Sequence, residues 1–171
     1  PVHRKDIQSF GSKLRLFSGV RNWFGRIDAY GKSSGVRIEH YIISSGIKEI
    51  VEGTSIGTRF KAVFASSFLY DPNDVATWPA LALNYTTKTQ YLFRINKGSL
   101  TVTDHSKINS YVPQHERRIP FEHIVYIGDG ETDIPCFRLV KELGGHSIAV
   151  YDVASSDGLA KSEKLMSEGR I

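Results

Sequence analysis

The sequence predicts an α/β domain in which helices cover both faces of a parallel β-sheet. Short apolar segments of strand type alternate along the chain with segments of helical periodicity. Two of these strands, at 36–43 and 124–127, end in apolar runs typical of parallel strands buried on both faces. Each then runs into a polar turn and a helix, the order of a right-handed crossover. Ligands are therefore expected at the carboxyl ends of the strands.

Composition limits the classes of function. The 171 residues are 40% hydrophobic, enough for one domain with a real core, and Cys136 is the only cysteine, so no internal disulfide can form. We expect a packed thiol in a reducing compartment. The net charge is +4, but the cations are scattered, which argues against nucleic acid as a partner. With no secretory leader and no apolar run of membrane-spanning length, a cytoplasmic protein without a membrane partner is expected.

The first half of the chain shows the predicted alternation. A helix is predicted from Gly19 to Gly31 because apolar residues recur at helical spacing. The strand at 36–43 leads into Ser44-Ser45-Gly46 and a short helix that ends before Gly53. Residues 60–65 and 80–85 are predicted to be extended. The inward positions of these two helices are Val20, Trp23, Phe24 and Ile27, then Ile47, Ile50 and Val51.

The second half continues the pattern. A helix is predicted from about Lys88 to Gly98, and residues 99–122 form a polar connection with no readable chemistry. The strand at 124–127 is followed by a helix from about Ile134, then by a strand at 147–151 and a helix at 159–166. The inward residues of the helices are Tyr91, Leu92 and Ile95 in the first, then Ile134, Phe137, Val140 and Leu143.

The strand at 124–127 ends on a carboxylate, in the turn Gly128-Asp129-Gly130. Asp133 lies four residues further on, where it can cap the next helix and still face the same crevice as Asp129. Two carboxylates beside a phosphate-sized space suit Mg²⁺, which takes few protein ligands and several waters. An ordinary turn followed by a plain helix cap has the same spacing, so spacing alone leaves both interpretations open.

Two other positions are candidates for binding an anion. Ser44, Ser45 and Gly46 place hydroxyls and backbone N–H groups at a helix start, although a serine cap without a ligand is the commoner arrangement. Lys88 lies in the first turn of its helix, where a cation opposes the helix dipole by about 0.3 to 1 kcal/mol unless it meets an anion. A solvated surface lysine is the ordinary alternative.

These three stretches resemble the haloacid dehalogenase-like (HAD) phosphatases, and most closely the phosphoserine phosphatase branch. Gly128-Asp129-Gly130-Glu131-Thr132-Asp133 after an apolar strand is similar to the fourth motif of that family. Tyr41-Ile42-Ile43-Ser44-Ser45-Gly46 resembles the second motif, and Thr87-Lys88-Thr89-Gln90 resembles the third. The three occur in the family's order, which makes the joint match far more specific than any one motif.

The resemblance implies roles for these residues. Ser44, with Ser45 and Gly46, would bind the phosphoryl group, and Lys88 would steady the nucleophile and the transferring phosphate. Asp129 would ligate Mg²⁺. Asp133 would be the second acidic residue, which acts on the metal through water or orients the lysine.

One departure concerns the first motif of the family, a strand followed by Asp-x-Asp, which supplies the nucleophile and is absent from these residues. The resemblance therefore implies a three-layer HAD-like (Rossmann-like) parallel sheet that is incomplete because its N-terminal central strand is missing. Residues 1–35 would be the end of a cap segment and its return helix, and residues 36–171 the core with motifs two to four. The long connection at 99–122 is a second departure and leaves the substrate open.

The expected function is that of a Mg²⁺-dependent phosphomonoester hydrolase acting on a small phosphorylated metabolite through an aspartyl-phosphate. The activity would belong to a longer parent protein, and these residues alone would be inactive. A non-catalytic HAD-fold module that binds a phosphorylated ligand or a protein is the alternative. Another chemistry of the family, such as carbon–halogen cleavage, fits less well because it does not need the pair of metal-binding aspartates. The sequence predicts no oligomeric state.

Overall fold

The computed structural model describes every residue from Pro1 to Ile171 and confirms the α/β class. The chain forms two compact units, Pro1–Leu83 and Asn84–Ile171. Within each unit the residues pack mainly against one another. The predicted boundary at residue 35 concerns the end of a cap segment and stays a prediction.

The first unit is built on a three-stranded sheet in the order β1-β2-β3. Strand β1 pairs with β2 in parallel, and β2 pairs with β3 in antiparallel. Helix α3 packs against β1 and β2. The unit contains α1 (Arg4–Ser9), α2 (Val20–Ser33), β1 (Tyr41–Ile47), α3 (Lys48–Glu52), β2 (Ala62–Tyr70) and β3 (Ala76–Leu81).

The second unit is built on a pair of parallel strands, β4 and β5, against which α6 packs. Its core is formed by Phe137 and Val140 of α6, both fully buried, together with Tyr126 of β4. Cys136 is also fully buried, as the prediction of a packed thiol required. The unit contains α4 (Lys88–Lys97), α5 (Ser106–Asn109), β4 (Val125–Gly128), α6 (Ile134–Glu142), β5 (His146–Ala149) and α7 (Gly158–Ser167).

Several details differ from the sequence-based predictions. Strand β1 begins at Tyr41, whereas the prediction began at residue 36, and Trp23, predicted to point inward, is 41% exposed. The segment 80–85 was expected to be the next extended stretch, but the strand runs over Ala76–Leu81 and pairs in antiparallel with β2, so the first sheet is mixed. The turn Asp71–Asp74 joins the two strands as a hairpin, with Asp74 at φ 61°. Leu143 is 41% exposed because α6 ends at Glu142, one residue before it.

No helix in the structure combines the length and the apolarity that crossing a membrane requires. Strands β1 and β4 each lie at an edge of their own sheet.

Candidate active site

A buried ion pair lies at the centre of the candidate site. Nζ of Lys88 donates a hydrogen bond of 2.7 Å to Oδ1 of Asp133, and each residue is only 5% exposed. The interpretation of Lys88 as a solvated surface residue is therefore wrong. Lys88 is the first residue of α4, and the Asp133 carboxylate is the anion that offsets its unfavourable position at the positive end of the helix dipole.

The turn before α4 fixes where Lys88 begins the helix. Oδ1 of Asn84 accepts hydrogen bonds from the backbone N–H groups of Thr86 and Thr87, at 3.0 and 3.2 Å. In return, Oγ1 of Thr87 accepts a hydrogen bond of 3.1 Å from the backbone N–H of Asn84. This closed turn sets the direction in which α4 starts.

Asp133 occupies the position before α6 that the sequence predicted, and Pro135 lies in the first turn of that helix. Its side chain, however, makes no capping hydrogen bond, so the prediction that it caps α6 is wrong. Oδ1 accepts from Lys88 and from the hydroxyl of Tyr126, the latter at 2.7 Å. Oδ2 accepts from the backbone N–H of Asp129 at 3.3 Å. The carboxylate is thus held by three donors, and the two hydrogen bonds to Oδ1 are stronger for being buried.

Tyr126 is a member of this network that the sequence analysis missed. Burial above all, then the nearby Cys136 and Asp133, raise the pKa of the Tyr126 hydroxyl far above its ordinary value, so it remains a donor. Burial likewise raises the pKa of the Cys136 thiol to about 11, which keeps it protonated and unreactive at neutral pH. A buried tyrosine in an aliphatic strand usually needs a hydrogen-bond partner for its hydroxyl, so the position of Tyr126 in the apolar strand could have indicated a role in the network.

Gly128 makes room for the Asp133 carboxylate. A Cβ atom added at Gly128 would lie 2.7 Å from Cγ and from Oδ2 of Asp133. Gly128 is therefore required because the end of β4 and the Asp133 carboxylate approach each other closely. A Cβ at Gly130 would meet nothing within 4 Å.

Asp129, unlike Asp133, is exposed. It follows the last residue of β4, and its backbone N–H is engaged by Asp133 while its carboxylate has no partner in the protein. No cluster of three or more His, Cys, Asp or Glu side chains is arranged to hold a metal ion. Mg²⁺ is commonly held by one or two carboxylates with water and substrate oxygens, so an exposed, unpartnered aspartate fits such an ion.

Ser44 lies in the first unit, near the carboxyl end of β1. Its Oγ accepts a hydrogen bond of 3.0 Å from the backbone N–H of Gly46, and Ser45 and Gly46 are exposed. The residue before α3 is Ile47, so the competing interpretation of these serines as the helix cap is wrong. The sequence predicts a strand that ends at residue 43 and a separate turn, whereas in the structure Ser44-Ser45-Gly46 form an irregular part of β1, which continues to Ile47 and runs directly into α3. The convergence of Ser44 with Lys88 and Asp129 on one phosphate stays a prediction.

Ser66 on β2 supports the Ser44–Gly46 turn and was also missed. Its hydroxyl donates to the carbonyl of Ser45 at 3.3 Å and accepts from the backbone N–H of Leu83 at 3.0 Å. The register between β1 and β2 shifts between Ser44 and Ile47, so the turn bulges out of the ladder at this point.

Two similarities to known proteins bear on the family of this chain. The family model for haloacid dehalogenase-like hydrolases matches residues 11–138. A protein of Borreliella burgdorferi that carries only the name "Uncharacterized protein" is 32% identical over 190 aligned positions, which cover 99% of this chain. The chain spans 64% of that relative's length. Because the family model covers well over half of the chain, the protein belongs to the haloacid dehalogenase-like hydrolase family.

Proposed function

We propose that the parent protein of this chain is a Mg²⁺-dependent phosphomonoester hydrolase of the phosphoserine phosphatase type, acting on a small phosphorylated metabolite. The observation that carries the proposal is the buried Lys88–Asp133 pair beside the exposed carboxylate of Asp129. A buried ammonium held by an anion at a strand end is suited to offset charge on a phosphoryl group.

Each residue has a separate task in this proposal. Lys88 stabilises negative charge on the phosphate and on the attacking carboxylate. Asp133 orients Lys88 and, since all three of its donors come from the protein, serves the metal only indirectly. Asp129 holds Mg²⁺, which supplies charge neutralisation when bound. Ser44, with Ser45 and Gly46, donates hydrogen bonds to the phosphoryl oxygens.

The nucleophile is proposed to be an aspartate on a strand outside these residues, which becomes transiently phosphorylated. Two features support this. No Asp-x-Asp sequence occurs in the chain, and β1 and β4 each keep a free edge that an added parallel strand can pair with. The relative from Borreliella burgdorferi is longer than this chain, which spans 64% of its length.

The test is a turnover assay of the full-length parent against a broad panel of small phosphomonoesters, with Mg²⁺ and with chelator. We expect Mg²⁺-dependent release of phosphate that Asp129→Ala abolishes. The matched control is Glu163→Ala on α7, an exposed acidic residue without an ion pair, which should keep the parent rate. Absence of Mg²⁺-dependent turnover across the panel would defeat the proposal, and a wild-type rate in Asp129→Ala would remove Asp129 from the site.

A second candidate is a non-catalytic module that binds a phosphorylated ligand or a protein. The absence of Asp-x-Asp within the chain is the observation that favours it. The two candidates differ in the parent sequence before Pro1. A strand that ends in Asp-x-Asp there supports the hydrolase, while its absence together with saturable phosphate binding and no turnover supports the module. A cytoplasmic location is proposed for either.

A further inference from the structure

An open cleft of about 710 Å³ lies in the first unit, away from the turn that contains Ser44. Its walls come from the end of α2 and from the residues that lead into β1 and β2. Since Tyr41 and Ala62 are paired at the start of these parallel strands, the cleft is at their amino ends. Ser44 is three residues further along β1, which corresponds to about 10 Å of strand. The cleft is of the size that small ligands occupy.

Basic side chains dominate the polar lining. Two carboxylates and four permanently charged cations line the cleft: Asp28, Glu39, Lys32, Arg37, Arg59 and Lys61.

Both carboxylates already have hydrogen-bond partners within the protein. The Glu39 side chain is only 12% exposed and pairs with Lys61 at 2.5 Å, while the hydroxyl of Tyr41 donates to it at 2.6 Å. Asp28 accepts from Nε2 of His40 at 2.9 Å, and the His40 ring is fixed edge-on against Phe24. Asp28 keeps its charge, but with four cations against two carboxylates the lining still has a net charge of +2.

The cations, in contrast, are in surplus. Lys32 and Arg59 have no side-chain partner in the structure, and Arg37 reaches Glu39 only at 3.7 Å with an 83% exposed side chain. Lys32 stands on α2 and Arg59 on the short 3₁₀ turn Gly57–Arg59, so the unpaired charges come from two separate elements. Charges on two elements suit a ligand with two anionic groups better than a single phosphate.

Next to Lys32, the cleft wall contains the turn that follows α2. Gly35 adopts φ +69°, and the backbone N–H of Val36 donates to the carbonyl of Gly31 at 2.8 Å. A Cβ at Gly31 would lie 2.8 Å from the side chain of Ile38. Close contact at Gly31 therefore fixes the chain that leaves α2 against that helix and sets the position of the cleft wall.

We propose that this cleft is a binding site for a small compound with two anionic groups, separate from the phosphate-binding edge of the family's fold. The ligand would bridge Lys32 and Arg59, with Arg37 at the rim. The proposal does not depend on the hydrolase activity.

The experiment is calorimetric titration of the full-length protein with pyrophosphate, citrate and inorganic phosphate, in a Ser44→Ala background that weakens the phosphate edge. We expect saturable binding of pyrophosphate and citrate, and binding of phosphate weaker by about tenfold because it cannot engage both cations. The double variant Lys32→Gln, Arg59→Gln should weaken pyrophosphate binding by at least about tenfold. The control is Lys5→Gln, Arg26→Gln, which removes the same charges from exposed positions outside the cleft.

Three results would overturn the proposal. One is that neither pyrophosphate nor citrate binds saturably. Another is equal weakening in the control variant, which would mean a diffuse effect of net charge. The third is unchanged affinity in the cleft variant, which would place the binding elsewhere. Amide chemical shifts provide an independent check, since ligand should move the signals of Gly35, His40 and Thr58 and leave that of Gly46 in place.

Discussion

Lys88 and Asp133 meet at 2.7 Å although 45 residues separate them in the chain. Both side chains are nearly excluded from solvent, so each charge depends on the other for compensation. Removing one partner of a buried pair leaves an isolated buried charge, at a cost of about 3 to 5 kcal/mol.

We therefore expect Lys88→Ala and Asp133→Ala each to lower the free energy of unfolding by about 3 to 5 kcal/mol. Urea denaturation of the full-length protein measures this. The control is Glu142→Gln, which breaks the exposed Arg138–Glu142 pair and should cost less than about 1 kcal/mol. Equal small losses in all three variants would mean that the buried pair is unimportant for stability.

Gly128→Ala tests the close contact beneath the carboxylate. The added methyl group would lie 2.7 Å from the Asp133 side chain, which must move and lengthen its hydrogen bonds. We expect a loss of about 1 to 3 kcal/mol in stability, as for other overpacked sites, together with lower activity. Gly130→Ala is the matched control because its backbone is extended and its Cβ would meet nothing. If both variants are equally stable, Gly128 is not needed for packing.

Tyr126→Phe removes one donor from Asp133 while keeping the ring that packs against Phe137. A hydrogen bond to a charged group contributes about 1.5 to 3 kcal/mol, and we expect a loss in that range. Lys88 should remain in place, so turnover should fall less than in Asp133→Ala. Tyr111→Phe is the control, since Tyr111 is 88% exposed. A Tyr126→Phe variant as stable as this control would contradict the network.

Tyr70 predicts how stability falls at high pH. Its hydroxyl is buried without a hydrogen-bond partner, and burial together with the neighbouring Glu49 carboxylate raises its pKa to about 12. In the unfolded chain the group titrates near its ordinary pKa of 10.0, so the unfolded state loses its proton first. The stability that the protonated Tyr70 hydroxyl contributes is fully present below pH 10 and is lost as the pH rises through about 12.

The measurement compares the unfolding free energy of wild type and Tyr70→Phe between pH 8 and pH 12, so that other titrating groups cancel. We expect the difference between the two proteins to change in favour of Tyr70→Phe above about pH 10. A difference independent of pH would mean that Tyr70 titrates alike in both states.

Arg94 is expected to hold the connection 99–122 in place. Its guanidinium is 5% exposed and donates to the backbone carbonyls of Thr101, Val102 and Asp104, at 3.1 to 3.2 Å. Arg94→Leu should leave these carbonyls without partners and increase proteolysis and amide exchange at 99–105. Arg94→Lys should restore little of this protection because a single ammonium lacks the planar set of donors that a guanidinium offers. Arg138→Leu on the exposed face of α6 is the control, and equal protection of 99–105 in all variants would contradict the role.

Local signals predicted the elements that carry the site. The start of α4 at Lys88 and its end at Gly98, in the left-handed conformation, follow from residues within the helix itself. The same holds for the strand that ends at Gly128 and the helix that begins at Ile134. Turn residues and apolar spacing act over a few residues, which is why short windows of sequence contain this information.

Long-range pairings could not be predicted in the same way. The sequence around Lys88 contains nothing that distinguishes a buried ammonium from a solvated one, because its partner is in another part of the chain. The Asp133 side chain accepts hydrogen bonds from Tyr126 and Lys88 and none from the start of α6. Which of these donors it meets depends on the tertiary structure. The connection 99–122 had no readable chemistry because its anchors, Arg94 and Lys97, belong to α4.

The two ends of helix α4 make different contacts. Lys88 begins it, whereas Arg94 and Lys97 bind the connection near its last turn, about 9 to 14 Å further along the axis. Closing a longer loop is cheap, about 0.6 kcal/mol for each doubling of length. Relatives are therefore free to shorten, extend or rebuild this connection during evolution while the Lys88 ammonium keeps its place.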